Sequence, residues 1–169
     1  MKKGFTLIEL LVVIAVLGVL AAVVIVSINP LQQLAKTRDA GRLDSVTQMG
    51  DALLTYAESH SNTFPTVAQW TASPNQLVAA GELTAIPSAV AYSGGTSACT
   101  TNVINSTWCY QVTAGTGAIV YAKTEALSNS SNCGTGTSAY YVYSTSLGRA
   151  GGVCAATEAA IGLSPTFTF

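Results

Sequence analysis

The sequence predicts an α+β protein, with a long N-terminal α-helix whose first half spans a membrane and a small antiparallel β-sheet head packed on its second half. Three observations carry this expectation. An uncharged apolar run extends from Leu10 to Val26 behind a short basic leader. From Leu43 onward apolar residues return with a helical period. Beyond His60 the composition turns to Ser, Thr, Gly and Asn, with short β-branched and aromatic runs and all four cysteines.

The first element is the apolar helix. Leu10–Ile28 is 19 residues, close to the ~20 that cross a bilayer as a helix. One carboxylate, Glu9, stands at its mouth. Placing a charged carboxylate in lipid costs roughly 2.5–3.5 kcal/mol, so the group calls for a partner. The nearby cations are Lys2 and Lys3, but a cut after Gly4 would instead give Phe5 a free amine close to Glu9. A secretory signal peptide would need a small-residue cleavage site behind the apolar run. The residues Val24-Ile25-Val26-Ser27-Ile28-Asn29-Pro30 offer none.

The pattern Lys2-Lys3-Gly4-Phe5-Thr6-Leu7-Ile8-Glu9 followed by an apolar helix resembles the type IV filament family, the pilins and the pseudopilins of type II secretion. The likeness is close over residues 1–30, looser to about residue 60 and architectural beyond. It implies that residues 1–4 are a leader removed after Gly4, that Phe5 is N-methylated, and that Glu9 pairs with the Phe5 amine of a neighbouring subunit. The implied partners are copies of the chain and minor pilins, a prepilin peptidase and methyltransferase, and an inner-membrane assembly platform.

Residues 5–29 form the membrane-spanning and filament-core segment in this reading, and residues 30–60 the amphipathic half of the helix. Leu43, Val46, Gly50, Leu53 and Ala57, widened by Met49, Leu54 and Tyr56, make the apolar stripe. Asp44, Gln48, Asp51, Thr55 and Glu58 make the solvated row. Pro30 interrupts the helix. A helix-interior proline costs about 3 kcal/mol, so a kink or local unwinding is expected at Ile28-Asn29-Pro30. In the family such a proline often stands a few residues earlier, where this chain has Val26.

Residues 61–169 are expected to form the head. Ser73 as N-cap, Pro74 in the first turn and Gly81 as stop bracket a short helix. The phrase Leu77 to Pro87 is similar to the helix–sheet link of many pseudopilins. Trp108–Thr113, Ala118–Thr124 and Tyr140–Ser144 read as strands, the first two joined by a hairpin at Gly115-Thr116-Gly117. Pro165–Phe169 alternates and is expected to add an edge strand, and Tyr141 to face outward.

An even number of cysteines, Cys99, Cys109, Cys133 and Cys154, points to disulfides and so to a head outside the cytoplasm. Three connectivities are possible. The one favoured is Cys99–Cys109 with Cys133–Cys154, each closing a local loop. Zinc fits poorly, without a C-x-x-C pair and with His60 remote.

No catalytic constellation is visible. His60 is the single histidine, at the expected helix end where a cation is mildly favourable. Asp39, Asp44 and Asp51 belong to the helix, and Glu82, Glu125 and Glu158 are widely spaced. No paired-carboxylate site results, no cofactor is implied, and the acidic calcium loop frequent in major pseudopilins is missing. Gly134-Thr135-Gly136-Thr137-Ser138-Ala139 follows no parallel strand and opens no helix, so it fails as a phosphate cradle. Asn105-Ser106-Thr107 and Asn129-Ser130-Ser131 match the glycosylation triplet, which arises readily by chance in Ser/Thr-rich loops. Charged residues are 9% and the net charge is −1, which leaves no basic face for nucleic acid.

The expectation is therefore a structural subunit and not an enzyme. It waits in the cytoplasmic membrane as a single-pass protein with its head outside, then enters an extracellular or periplasmic filament. A type IV pilus-like filament is preferred over a secretion pseudopilus, with a non-polymerising membrane-anchored binding module as the third reading.

Overall fold

The computed structural model describes residues 4–93 and 98–169, so Lys2 and Lys3 of the leader lie outside the described residues. The chain divides into two compact units, Met1–Leu34 and Ala35–Phe169.

In the first unit, α1 runs from Leu7 to Ile28. Leu7–Val26 is the one stretch among the described residues that is long and apolar enough to cross a bilayer. Large apolar side chains point to every side of it and are exposed, from Leu7 to Val26. The helix stops at Asn29, which takes the left-handed conformation at φ 47°. Asn is one of the few residues that tolerates that region. Its carbonyl then accepts from Gln32 N–H at 3.1 Å, and its side-chain oxygen from the same N–H at 3.4 Å. Asn29 thus closes one helix and opens the next. Pro30 is the first residue of α2 (Pro30–Ser59), where a missing N–H costs nothing and the fixed φ suits the helix. The expected interior-proline penalty is avoided by breaking the helix one residue earlier.

The second unit is built around α2 from Ala35 on. Val46, Met49, Ala52, Leu53 and Tyr56 pack with Tyr110, Val120, Ala122 and Tyr143 of the sheet. Each such fully buried apolar side chain stabilises by roughly 1.5–3 kcal/mol. Asp44, Gln48, Asp51, Thr55 and Glu58 are exposed along the opposite row. The stripe departs from the expected one at its start: Leu43 is only half-buried, and Asp39 and Arg42 are buried instead. They are tolerated because they pair with each other and with groups from the head.

The sheet has four antiparallel strands in chain order, β1 (Cys109–Thr113), β2 (Gly117–Lys123), β3 (Ser138–Ser144) and β4 (Arg149–Ala155). The β1–β2 turn spans residues 114–116, with Gly115 at φ 72° and Thr113 opposite Gly117. Ala118–Ala122 are buried without alternation. One face of the sheet meets α2, while the other is covered by Cys99, Ile161 and the flanks of Val103, Leu163 and Phe167. A strand covered on both sides reads as a continuous apolar run.

Three expectations are corrected. The short helix α4 is Gln76–Ala79, and its N-cap is Asn75, whose side chain accepts from Leu77 N–H at 2.9 Å. Ser73 and Pro74 lie before it, joined by a cis peptide bond. Preceding it is α3, Val67–Trp70, opened by a Thr66–Gln69 capping box. Residues 165–169 form no strand. The edge they meet is β4, which the sequence hides behind Gly151 and Gly152, and residues 168–169 bond it at Gly152. Tyr141 is half-buried rather than outward, with its ring 6.0 Å from Phe169 and its hydroxyl oxygen accepting from Asn129 Nδ2 at 3.3 Å.

Candidate functional site

Gly4, Phe5 and Thr6 precede α1 without regular structure and are exposed, Phe5 at 88%. Thr6 is the N-cap of α1 and accepts from Glu9 N–H at 3.3 Å. The Glu9 carboxylate reaches back, accepting from Thr6 N–H at 2.9 Å and from the Thr6 hydroxyl at 2.8 Å. This reciprocal capping box satisfies helix-end donors and the carboxylate together. Within one chain, then, Glu9 is held by Thr6. The Phe5 amine invoked above would exist only once the Gly4–Phe5 bond were cut. Thr6 had no assigned role in the sequence reading, although Thr-Leu-Ile-Glu is a plain T-x-x-E signal.

The second polar constellation was not foreseen. Arg42, buried on α2, donates to Asp39 Oδ1 at 2.6 Å, to the Ala91 carbonyl at 2.9 Å and to Glu125 Oε2 at 3.3 Å. Its guanidinium lies 3.9 Å from the Tyr92 ring centre. Arg38 forks onto both Glu125 oxygens, at 2.9 and 2.7 Å. Asp39 accepts from Glu125 N–H, from Ala126 N–H at 2.8 Å and from Asn129 Nδ2 at 2.8 Å. The Arg38 guanidinium, with help from Ser93, holds the Glu125 carboxyl at about 2 against the opposing effect of burial. This is a clamp fixing residues 90–93 and 124–129 to α2. Each charge in it has an opposite partner, and Arg42 Nε alone of these groups is buried without a hydrogen-bond acceptor.

The disulfides are Cys99–Cys109 and Cys133–Cys154. The first ties the segment before β1 onto the outer face, where Glu158 accepts from Thr100 N–H and Thr101 N–H at 2.8 Å each. The second joins the loop before β3 to β4. His60 follows α2 and stacks on Tyr56 with ring centres 3.8 Å apart. Among the described residues no three His, Cys, Asp or Glu side chains gather as a metal site. The Asn105 and Asn129 amides both donate internally, to the Pro87 carbonyl at 3.0 Å and to Asp39.

A long apolar helix opened by an exposed Gly-Phe junction, followed by a small four-stranded antiparallel sheet, is the pilin-like α+β arrangement. Residues 1–25 match the family model described as the prokaryotic N-terminal methylation motif. The chain therefore carries the prepilin-type signal of the type IV pilins and pseudopilins. No curated protein and no solved structure matches the chain.

Proposed function

We propose that the protein is a structural subunit of a type IV pilus-like filament. Its precursor is anchored in the cytoplasmic membrane by α1 with the head outside. A prepilin peptidase cuts after Gly4, Phe5 is methylated, and the subunits polymerise through their N-terminal helices, alongside minor pilins, on an inner-membrane platform. The observation that carries this reading is α1 itself, apolar and exposed on every side, with one carboxylate at its start. A helix apolar all round has to be buried, in lipid first and among copies of itself afterwards. In the packed helices Glu9 would exchange its Thr6 partners for the cut Phe5 amine of a neighbour, an ion pair where lipid is excluded.

Glu9→Leu keeps the helix apolar and the cleavage junction intact. The expected outcome is normal membrane insertion and normal cutting, with subunits absent from the sheared surface fraction; unchanged filament yield would overturn the pairing. Peptide mass spectrometry of that fraction from wild type is expected to find a chain starting at a methylated Phe5. A chain still starting at Met1 and confined to membranes would favour the plain anchored module.

A secretion pseudopilus is the second reading, favoured by the Leu77–Pro87 link, in which α4 and the Leu83 side chain join the core beside α2. The genes around this one separate the two: a retraction motor for a pilus, a secretin-linked export set for secretion.

A further inference from the structure

Residues 165–169 make an unusual join with β4. Gly152 N–H donates to the Phe169 carbonyl at 2.8 Å, and Thr168 N–H donates to the Gly152 carbonyl at 2.7 Å. Phe167 and Phe169 flank Thr168 and lie against opposite faces of β4, because Gly151 and Gly152 are successive residues of the strand. Phe167 covers Gly151 and Phe169 covers Gly152, so that a Cβ on either glycine would collide with the ring above it. The Arg149 guanidinium lies 4.7 Å from the Phe167 ring centre, and Tyr141 meets the Phe169 ring edge-on at 6.0 Å. The two glycines that disguise β4 in the sequence thus form a seat shaped for Phe-x-Phe, with backbone hydrogen bonds for affinity and ring contacts for specificity.

Beyond the buried Pro165, residues 166–169 are lightly held there. Their backbone meets the edge at Gly152, their phenylalanines are half-buried, and Thr166 and Thr168 are exposed. Behind them the Leu163 carbonyl is gripped by Ser144 and Ser146 hydroxyls. From the buried Pro165, the four extended residues 166–169 reach about 13 Å. We propose that this edge is an acceptor for an extended Phe-x-Phe segment, filled by the chain's own residues 167–169 in a lone subunit and by those of a second copy when subunits crowd together. The occupant is a second copy because the same segment makes the same contacts from either chain, and exchange of an identical element is a low-cost route to association. The exchange rests on the reading that copies of the chain come together, but its test requires no filament.

The test uses the full chain with Phe169 replaced by photoreactive benzoylphenylalanine. Batches at natural nitrogen abundance and labelled with ¹⁵N are purified separately in detergent micelles, mixed at rising concentration and irradiated. The expected result is a link from residue 169 to residues 150–153, with hybrid-isotope pairs rising towards half of all links. Links to 150–153 in same-isotope pairs alone, at every concentration, would overturn the exchange. Because the bulkier side chain can itself disturb the seat, a second measurement uses the unmodified chain and a synthetic peptide of residues 163–169. Excess peptide is expected to speed hydrogen exchange at residues 167–169 of the protein while Gly152 stays protected, and to do nothing in Gly152→Val. No change in the unmodified chain would overturn the acceptor site itself. Loss of filaments with hybrid links intact would instead count against the proposed function alone.

Discussion

Asp39 and Arg42 show how two charges come to be stable inside a head that is otherwise apolar. Each has several partners, Asp39 two backbone N–H groups, an amide and Arg42, and Arg42 two carboxylates and two carbonyls, with only its Nε left without an acceptor. Removing Asp39 breaks the shorter of Arg42's two ion pairs and leaves the Glu125 and Ala126 N–H groups without their acceptor, and breaking a buried pair costs about 3–5 kcal/mol. Asp39→Ala is therefore expected to destabilise the full chain in micelles by about that amount, read as a shift in the urea unfolding of tryptophan fluorescence. Glu125 adds a pH dependence whose sign is set by its environment. Folding lowers its pKa from the ordinary 4.5 to about 2. Its stabilisation is thus fully present above the unfolded value and lost as pH falls through the folded one. The unfolding midpoint of wild type is expected to fall between those two values more steeply than that of Glu125→Gln, and parallel acid limbs would remove Glu125 from the account. None of this was visible beforehand, because residues 38–42 meet residue 125 across more than 80 positions and no local pattern announces such a meeting.

At the scale of elements, the docking of α2 on the sheet turns on Gly50. A Cβ there would fall within the Tyr143 ring, whose hydroxyl donates to Asp51 Oδ1 at 2.8 Å. Alanine improves helix propensity by about 1 kcal/mol, while overpacking a core costs about 1–3 kcal/mol and displacing Tyr143 also breaks its hydrogen bond. The steric effect should win, so Gly50→Ala is expected to destabilise. Gly41 sits on the same helix with open space where its Cβ would be. Gly41→Ala is expected to stabilise by about 0.5–1 kcal/mol in the same assay. Equal effects from the two substitutions would refute this account of the interface. The stripe containing Gly50 was legible because helical period survives in sequence. The strand β4 was not, because Gly151 and Gly152 remove the β-branched signal and the rings that justify them arrive from residues 167 and 169. The helix break was legible in place though not in form: proline marked it, and Asn29 provides the left-handed residue that makes it.

For the molecule as a whole, the legible part is the contiguous part. The Gly4–Phe5 junction, Glu9 and the apolar run sit within 26 consecutive residues, so the prepilin-type signal can be read directly. The head had to be seen, since its covering of the sheet's outer face by residues 99–109 and 158–167 joins distant segments.

The strand order has a kinetic consequence. Every strand pairs with its neighbour in sequence, so the sheet can zip along the chain, its widest gap being the 14 residues 124–137 between β2 and β3. By chain separation, the slow step is expected to be the search that brings Asp39 and Glu125 together, 86 positions apart. Until that search ends, α2 waits with Val46, Met49 and Leu53 uncovered. During that interval the newly made chain is most open to sticking to its neighbours.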